Sequence, residues 1–166
     1  MPGTRLGRAA VVLMAGVVLG CAQPGETEET DMNQVVTFLN SGQVLPATLP
    51  FSEAVRVGNL LILSGQIGNR PGALELVPGG IAEEARQVME NIRTTLTAHG
   101  AGMQDVVKCT VMLADMADWP AFNEIYRGFF TPPYPARSAL GANGLALGAR
   151  VEVECIAVIR ETAPPS

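Results

Sequence analysis

Apolar and polar positions change period several times along this chain, and each change marks an element. Val35-Val36-Thr37-Phe38-Leu39 reads as a short strand that Asn40-Ser41-Gly42 ends. Phe51 to Val57 leads through Gly58-Asn59 into Leu60 to Ile67, the signature of a hairpin. The second of these strands is apolar at successive positions, which predicts burial on both faces. Asn69 to Gly80, with Pro71, Gly72, Pro78 and Gly79, reads as a loop. In Ile81 to His99 the period becomes helical: Ile81, Ala85, Val88, Met89, Ile92 and Leu96 share a stripe, and Gly100 follows as the stop. His99 falls in the last turn, where the helix dipole favours positive charge. Asp105 to Leu113 is again a strand. Asp118 is placed to cap a second helix, with Pro120 in its first turn, Phe122, Ile125, Tyr126 and Phe129 as its stripe, and Trp119 packing beside the cap. Thr131-Pro132-Pro133-Tyr134-Pro135 ends that helix. Arg137 to Gly141 and Arg150 to Val158 are the closing strands.

The order is β-β-β-α-β-α-β-β, which predicts an α+β domain: a mixed sheet with two helices packed on one face. The other face remains apolar and needs cover, most simply from further copies of the chain. Parity sharpens the last strand. Val151, Val153 and Cys155 point one way, Glu152 and Glu154 the other. The valine side suits the helices, which leaves the glutamates on the uncovered side.

Composition agrees with a folded domain: of 166 residues, 48% are hydrophobic and 16% charged. Acids outnumber bases by 16 to 11, so a nucleic-acid surface, which needs a basic patch, is not expected. A single histidine excludes a multi-histidine metal site, and no Gly-rich phosphate motif occurs. Ahead of the domain, Arg5 and Arg8 precede an apolar run, Ala9 to Val18, too short to span a bilayer. The run ends at Val18-Leu19-Gly20-Cys21, which resembles a bacterial lipobox. The expected organisation is a lipoprotein signal over 1–20, an acidic tether over 21–34, the folded domain over 35–162 and a frayed tail over 163–166. Lipidation of Cys21 would hold the protein to a membrane of the cell envelope, facing the periplasm or the exterior. Cys109 and Cys155 read as small buried hydrophobes. An oxidising compartment would allow them to pair, but the sequence sets neither their distance nor their orientation, so no disulfide is assigned.

Candidate chemistry gathers on Arg137 and Glu152, and the working expectation is that both face one cavity. A guanidinium offers a planar fork of donors that matches a carboxylate. A nearby glutamate can orient a water and accept its proton. The competing reading of the pair is an inter-subunit salt bridge without catalytic use, and a structural ion pair is the expectation for Glu154. Asn123 fits either a substrate contact or a local backbone bond.

Ser64-Gly65-Gln66-Ile67, Phe122-Asn123-Glu124-Ile125-Tyr126 with Phe129-Phe130, Pro135-Ala136-Arg137-Ser138 and Val151-Glu152-Val153-Glu154-Cys155-Ile156-Ala157 resemble the RidA/YjgF family. The likeness runs from about Val35 to Ile159. It implies a chorismate-mutase-like fold, a homotrimer with active sites between subunits, and hydrolysis of 2-imino or enamine acids to 2-oxo acids and ammonia without cofactor or metal. By this resemblance Arg137 binds the substrate carboxylate, Glu152 positions water, and Asn123 and Gly65 line the cleft. Two positions depart from the family pattern: its frequent cysteine is Ala139, and its early tyrosine is Phe51, which keeps the ring and loses the hydroxyl. A non-catalytic trimer that binds small carboxylates such as 2-oxo acids is the alternative expectation.

Overall fold

A computed structural model of the chain describes residues 35–160 and, ahead of them, Gly3 alone. The apolar run, Cys21, the acidic tether and the tail lie outside the described residues. The described elements belong to the unit Asn33–Ser166. Strands β1 (Val36–Leu39), β2 (Ala54–Val57), β3 (Leu60–Leu63) and β4 (Gln66–Ile67) precede helix α1 (Ile81–Ala98). Then come β5 (Val106–Leu113), α2 (Trp119–Arg127), β6 (Ala136–Gly141) and β7 (Val151–Val158). They form one seven-stranded mixed sheet in the order β1-β2-β3-β7-β5-β6, with β4 also on β7. Only β5 and β6 run parallel, as the α2 crossover between them requires. No described helix is long and apolar enough to cross a membrane.

The predicted order is present with one change: Leu60 to Ile67 is two strands. Ile62 faces Ile156 on β7, whereas Gln66 faces Val153, so β7 advances three residues while the other chain advances four. The extra residue is a bulge at Ser64-Gly65, and it reverses which face the following side chain meets. Gln66 is thereby turned into the core, fully buried, with no partner for its amide among the described residues. The hairpin follows the sequence, Val57 facing Leu60 across Gly58-Asn59, with a positive φ of 58° at Gly58.

The core lies between the helices and one sheet face. Ala85, Val88, Met89, Ile92 and Leu96 of α1 are fully buried, and so are Val151 and Val153 of β7. Each large apolar side chain so buried contributes roughly 1.5–3 kcal/mol. The opposite face is open. Its register sets Val36, Val57, Leu60 and Val158 in one row, and Phe38, Val55, Ile62 and Ile156 in the next. Phe38 is 71% exposed and Ile62 41%, so this apolar face has no cover within the chain.

Three local expectations are corrected. Cys109 and Cys155 face each other across β5 and β7 and are joined by a disulfide, because the register that parity left open sets them directly opposite. Asp118 does not cap α2 with its side chain; it binds Arg150 at 2.7 Å, and Asp115 caps the preceding turn through the Ala117 N–H. His99 does not serve the helix dipole alone. Its Nε2 lies 3.3 Å from Oε2 of Glu53, and both side chains are buried.

Glu53 ties the 40–53 loop to the end of α1. Its carboxylate accepts hydrogen bonds from the Ser41 N–H and Oγ at 2.7 Å each and from Thr95 Oγ1 at 2.8 Å, while its own N–H donates to Asn40. Burial alone would raise its pKa. The bonds from Ser41, Thr95 and His99 outweigh that and hold it below the ordinary 4.5. A carboxylate lowered in this way stabilises the fold above its unfolded pKa of about 4.3, and that stability is lost as pH falls through the folded value. Glu53→Gln is therefore expected to lower stability at pH 7 by about 1–3 kcal/mol, and to flatten the acid limb of the stability profile. Denaturant unfolding of both proteins across roughly pH 3 to 7, the carboxylate range, measures it. Parallel profiles would contradict the assignment.

Candidate active site

Arg137 enters β6 directly after the Tyr134-Pro135 turn and pairs in register with Cys109 on β5. That places its side chain on the helix side, at the sheet edge, under α2. Trp119, Asn123 and Tyr126 of α2 stand at i, i+4 and i+7, which one helix face presents together. They form a cradle. Arg137 Nη2 donates to Asn123 Oδ1 at 3.0 Å, and the guanidinium carbon lies 4.5 Å from the ring centres of both Trp119 and Tyr126. Rings at that distance attract the cation and restrict its swing. The remaining donors are free to meet a ligand. Asn123, Tyr126, Arg127, Tyr134, Pro135 and Arg137 line a cavity of about 230 Å³. The Tyr126 phenol is raised in pKa by burial, against an opposing effect of Arg137, so it stays neutral.

Glu152 lies elsewhere. It faces Met112 of β5, three positions along from the Cys109 that faces Arg137. Two strand spacings across and three residues along make roughly 14 Å between backbones. The faces differ too: Val151 and Val153 fill the core, so Glu152 and Glu154 lie on the open side. The expectation that Arg137 and Glu152 share one cavity therefore fails within a single chain, because alternation sends them to opposite faces of the sheet.

Glu152 has its own surroundings. A Cβ on Gly65 would stand 2.0 Å from Glu152 Oε1, so the carboxylate occupies the space that any other residue would fill. The Ser64-Gly65 bulge is held in turn by the 52–53 backbone: Ser64 Oγ donates to the Ser52 carbonyl at 2.7 Å and Ser64 N–H to that of Glu53 at 3.0 Å. Phe51 precedes this segment, 48% exposed, and does not line the Arg137 cavity. Ala139 is exposed on β6 opposite Val111, two residues beyond Arg137 on the same side. Burial, and then the like charge of Glu154, push Glu152 above the ordinary 4.5, toward the range useful to a general base. Glu154 is exposed, and among the described residues of this one chain no cation lies within 4.0 Å of it.

Larger concavities, of about 540 and 610 Å³, open beside Arg56 and His99 and beneath the Thr131–Pro135 turn. The first has its histidine engaged by Glu53, and the second holds Arg160 as its one charged residue among those described. Among the described residues no group of His, Cys, Asp and Glu is arranged to hold a metal ion.

A family model described as "Endoribonuclease L-PSP" matches residues 42–159. The chain is 43% identical over 128 residues to the mouse (Mus musculus) protein named "2-iminobutanoate/2-iminopropanoate deaminase", spanning 76% of this chain and 95% of that one. It superposes on RidA from an Antarctic Psychrobacter species with a TM-score of 0.70 at 37% identity, covering 74% of this chain and 99% of that one. On the YjgF gene product of E. coli the TM-score is 0.69 at 33% identity, covering 75% and 99%. The chain belongs to the RidA/YjgF family.

Against that family's sequence pattern, two groups stand out in this RidA/YjgF chain. Arg137 and Asn123 form one, Glu152 and Gly65 the other, each preassembled on its own side of the sheet. Reading the sequence missed Trp119 and Tyr126 as holders of Arg137, taking them for packing. The signal was present: both share the helix face of Asn123.

Gly65→Ala tests the second group. The atom displaced is the end of a flexible carboxylate, so the fold should tolerate the change while Glu152 is re-aimed. The expected outcome is a melting temperature close to wild type and a loss in any Glu152-dependent turnover of about 100-fold. Circular dichroism melts alongside steady-state kinetics check it, and unchanged turnover would show that Glu152's position does not matter.

Proposed function

We propose that this protein hydrolyses 2-imino acids, and their enamine tautomers, to 2-oxo acids and ammonia in clefts shared between subunits of a homotrimer. The observation that carries the proposal is the cradled Arg137, a guanidinium held by Asn123 and two rings with donors left for a carboxylate. The name of the mouse relative supports the same chemistry.

The substrate carboxylate binds Arg137, which fixes the imine carbon beside the Glu152 group of a neighbouring subunit. Glu152 orients a water and takes its proton as the oxygen attacks that carbon. The resulting carbinolamine collapses: the C–N bond breaks, the proton passes to nitrogen, and ammonia leaves. Water is the only co-reactant, so the reaction needs no redox partner. The raised pKa of Glu152 suits a residue that gives back the proton it takes. The endoribonuclease activity in the family model's description is less favoured. The chain carries a net charge of −5, and its one histidine is engaged by Glu53.

The open face supports the assembly. Its two apolar rows are of the kind another copy covers, and the proposed reaction further requires the β6 edge that carries Arg137 to meet the Glu152 side of the next subunit. In the same reading the protein is lipid-anchored through Cys21 outside the cytoplasm. The buried Cys109–Cys155 disulfide favours an oxidising compartment.

The activity test is ammonia release from imines generated in situ from several amino acids. Wild type is expected to exceed the spontaneous rate, with Arg137→Ala and Glu152→Gln each about 100-fold slower or worse. Wild type no faster than Arg137→Ala would sink the enzyme reading. Light scattering tests the assembly: Ile62→Asp should convert a trimer into folded monomer and abolish turnover with it, and an intact trimer would refute the open-face interface. Metabolic labelling with palmitate should disappear in Cys21→Ala; labelling that survives would remove the lipid anchor.

A further inference from the structure

The cavity beside Arg137 contains a second guanidinium that the proposed reaction does not use. Arg127 lines it together with Asn123, Tyr126, Tyr134, Pro135 and Arg137, and among the described residues no carboxylate lines it. Two cations and no anion make an unusual lining for a protein whose acids outnumber its bases. Such a cavity focuses a positive potential within an otherwise negative surface and draws anions to it.

The placement follows from α2. Asn123, which accepts from Arg137, and Arg127 stand four residues apart on the same helix face. Arg127 is therefore one turn, about 5.4 Å, further along the wall from the point where Arg137 is held. That spacing suits the two ends of a short dicarboxylate. The intramolecular competitor is weak. Arg127 meets Glu124 at 3.5 Å with both side chains mostly exposed, 61% and 74%, and an exposed pair of that length holds its partners loosely.

We infer that Arg127 is a specificity determinant: it receives a second carboxylate, so that the preferred ligands of the Arg137 cavity are 2-imino and 2-oxo acids with an acidic side chain. The inference rests on the imine-hydrolase reading of this cavity. Arg137 takes the carboxylate next to the reacting carbon in every substrate, and Arg127 distinguishes substrates by what their side chain ends in. Tyr134 and Pro135 also line this cavity.

The probe is built in. Trp119 is the chain's one tryptophan and lies 4.5 Å from the Arg137 guanidinium, so its fluorescence should respond to occupancy. Titration of the full assembled protein with 2-oxoglutarate and with 2-oxobutanoate compares a dianion with a monoanion. Wild type is expected to bind 2-oxoglutarate at least about tenfold more tightly. Arg127→Ala should reduce the preference to less than about twofold by weakening the dianion, and Arg127→Lys, which keeps the charge, should restore part of it. A wild-type ratio near one, a preference that survives Arg127→Ala, or failure of both acids to bind would each overturn the inference. Turnover of imines made from glutamate and from 2-aminobutanoate, run in parallel, separates the two claims. Hydrolysis without acidic preference removes the role of Arg127 alone. Acid-selective binding without hydrolysis removes the enzyme reading and leaves Arg127 as the selector.

Discussion

Side-chain alternation along β7 governs more of this molecule than any other single constraint. Val151, Val153, Cys155 and Ala157 must share a face because a strand repeats every two residues, and they are the residues that close the core under α1. Once they point inward, Glu152 and Glu154 must point outward. The charge on that side is affordable because the open face reaches solvent or a neighbour and not the helices. The same alternation turns Ile156 and Val158 out, in line with Ile62 and Leu60, and so creates an apolar face that one chain cannot cover.

The site inherits this division. Arg137 belongs to the helix side, where α2 supplies an amide and two rings to hold a cation that would otherwise sample many rotamers. Glu152 belongs to the open side, where a glycine bulge makes room for its carboxylate. Each group is ordered by contacts within one chain, so the proposed assembly would have only to bring two finished halves together. This is an economical way to organise a two-residue site, since neither half waits on the other for its geometry. Under the proposed reaction, turnover would depend on quaternary structure, because no motion of one chain moves a side chain through its own sheet.

Away from the site, buried polar groups carry much of the loop architecture. Glu53 gathers Ser41, Thr95 and His99, and Asn91 donates to the Ile67 and Asn69 carbonyls. Glu84 accepts the Arg150 N–H where β7 begins. All three lie near or on the buried side of α1 or its end, where an apolar stripe alone would leave loop backbone unsatisfied. These bonds position the strands that carry Gly65 and Glu152, and they explain why a helix with a clear apolar stripe also buries Glu84, Asn91 and Thr95.

Much of this was legible in residue order. Periodicity located both helices and the strands, since burial of one face imposes a period that survives in sequence. Parity sent Glu152 away from the valines, and the arginine and glutamate segments identified the family. What lay beyond reach was everything set by contacts between distant segments. Trp119 and Tyr126 looked like packing because their partner arrives from a strand ten or more residues away, a separation of roughly that order being invisible to local periodicity. Cys109 and Cys155 could be bonded only once register set them opposite, and His99 acquired its role from Glu53, far upstream in sequence. Arg137 and Glu152 stood out in the sequence as singular charges in strands. Their placement on opposite faces was a property of the sheet, because the face a residue meets depends on strand order and bulges that no single strand encodes.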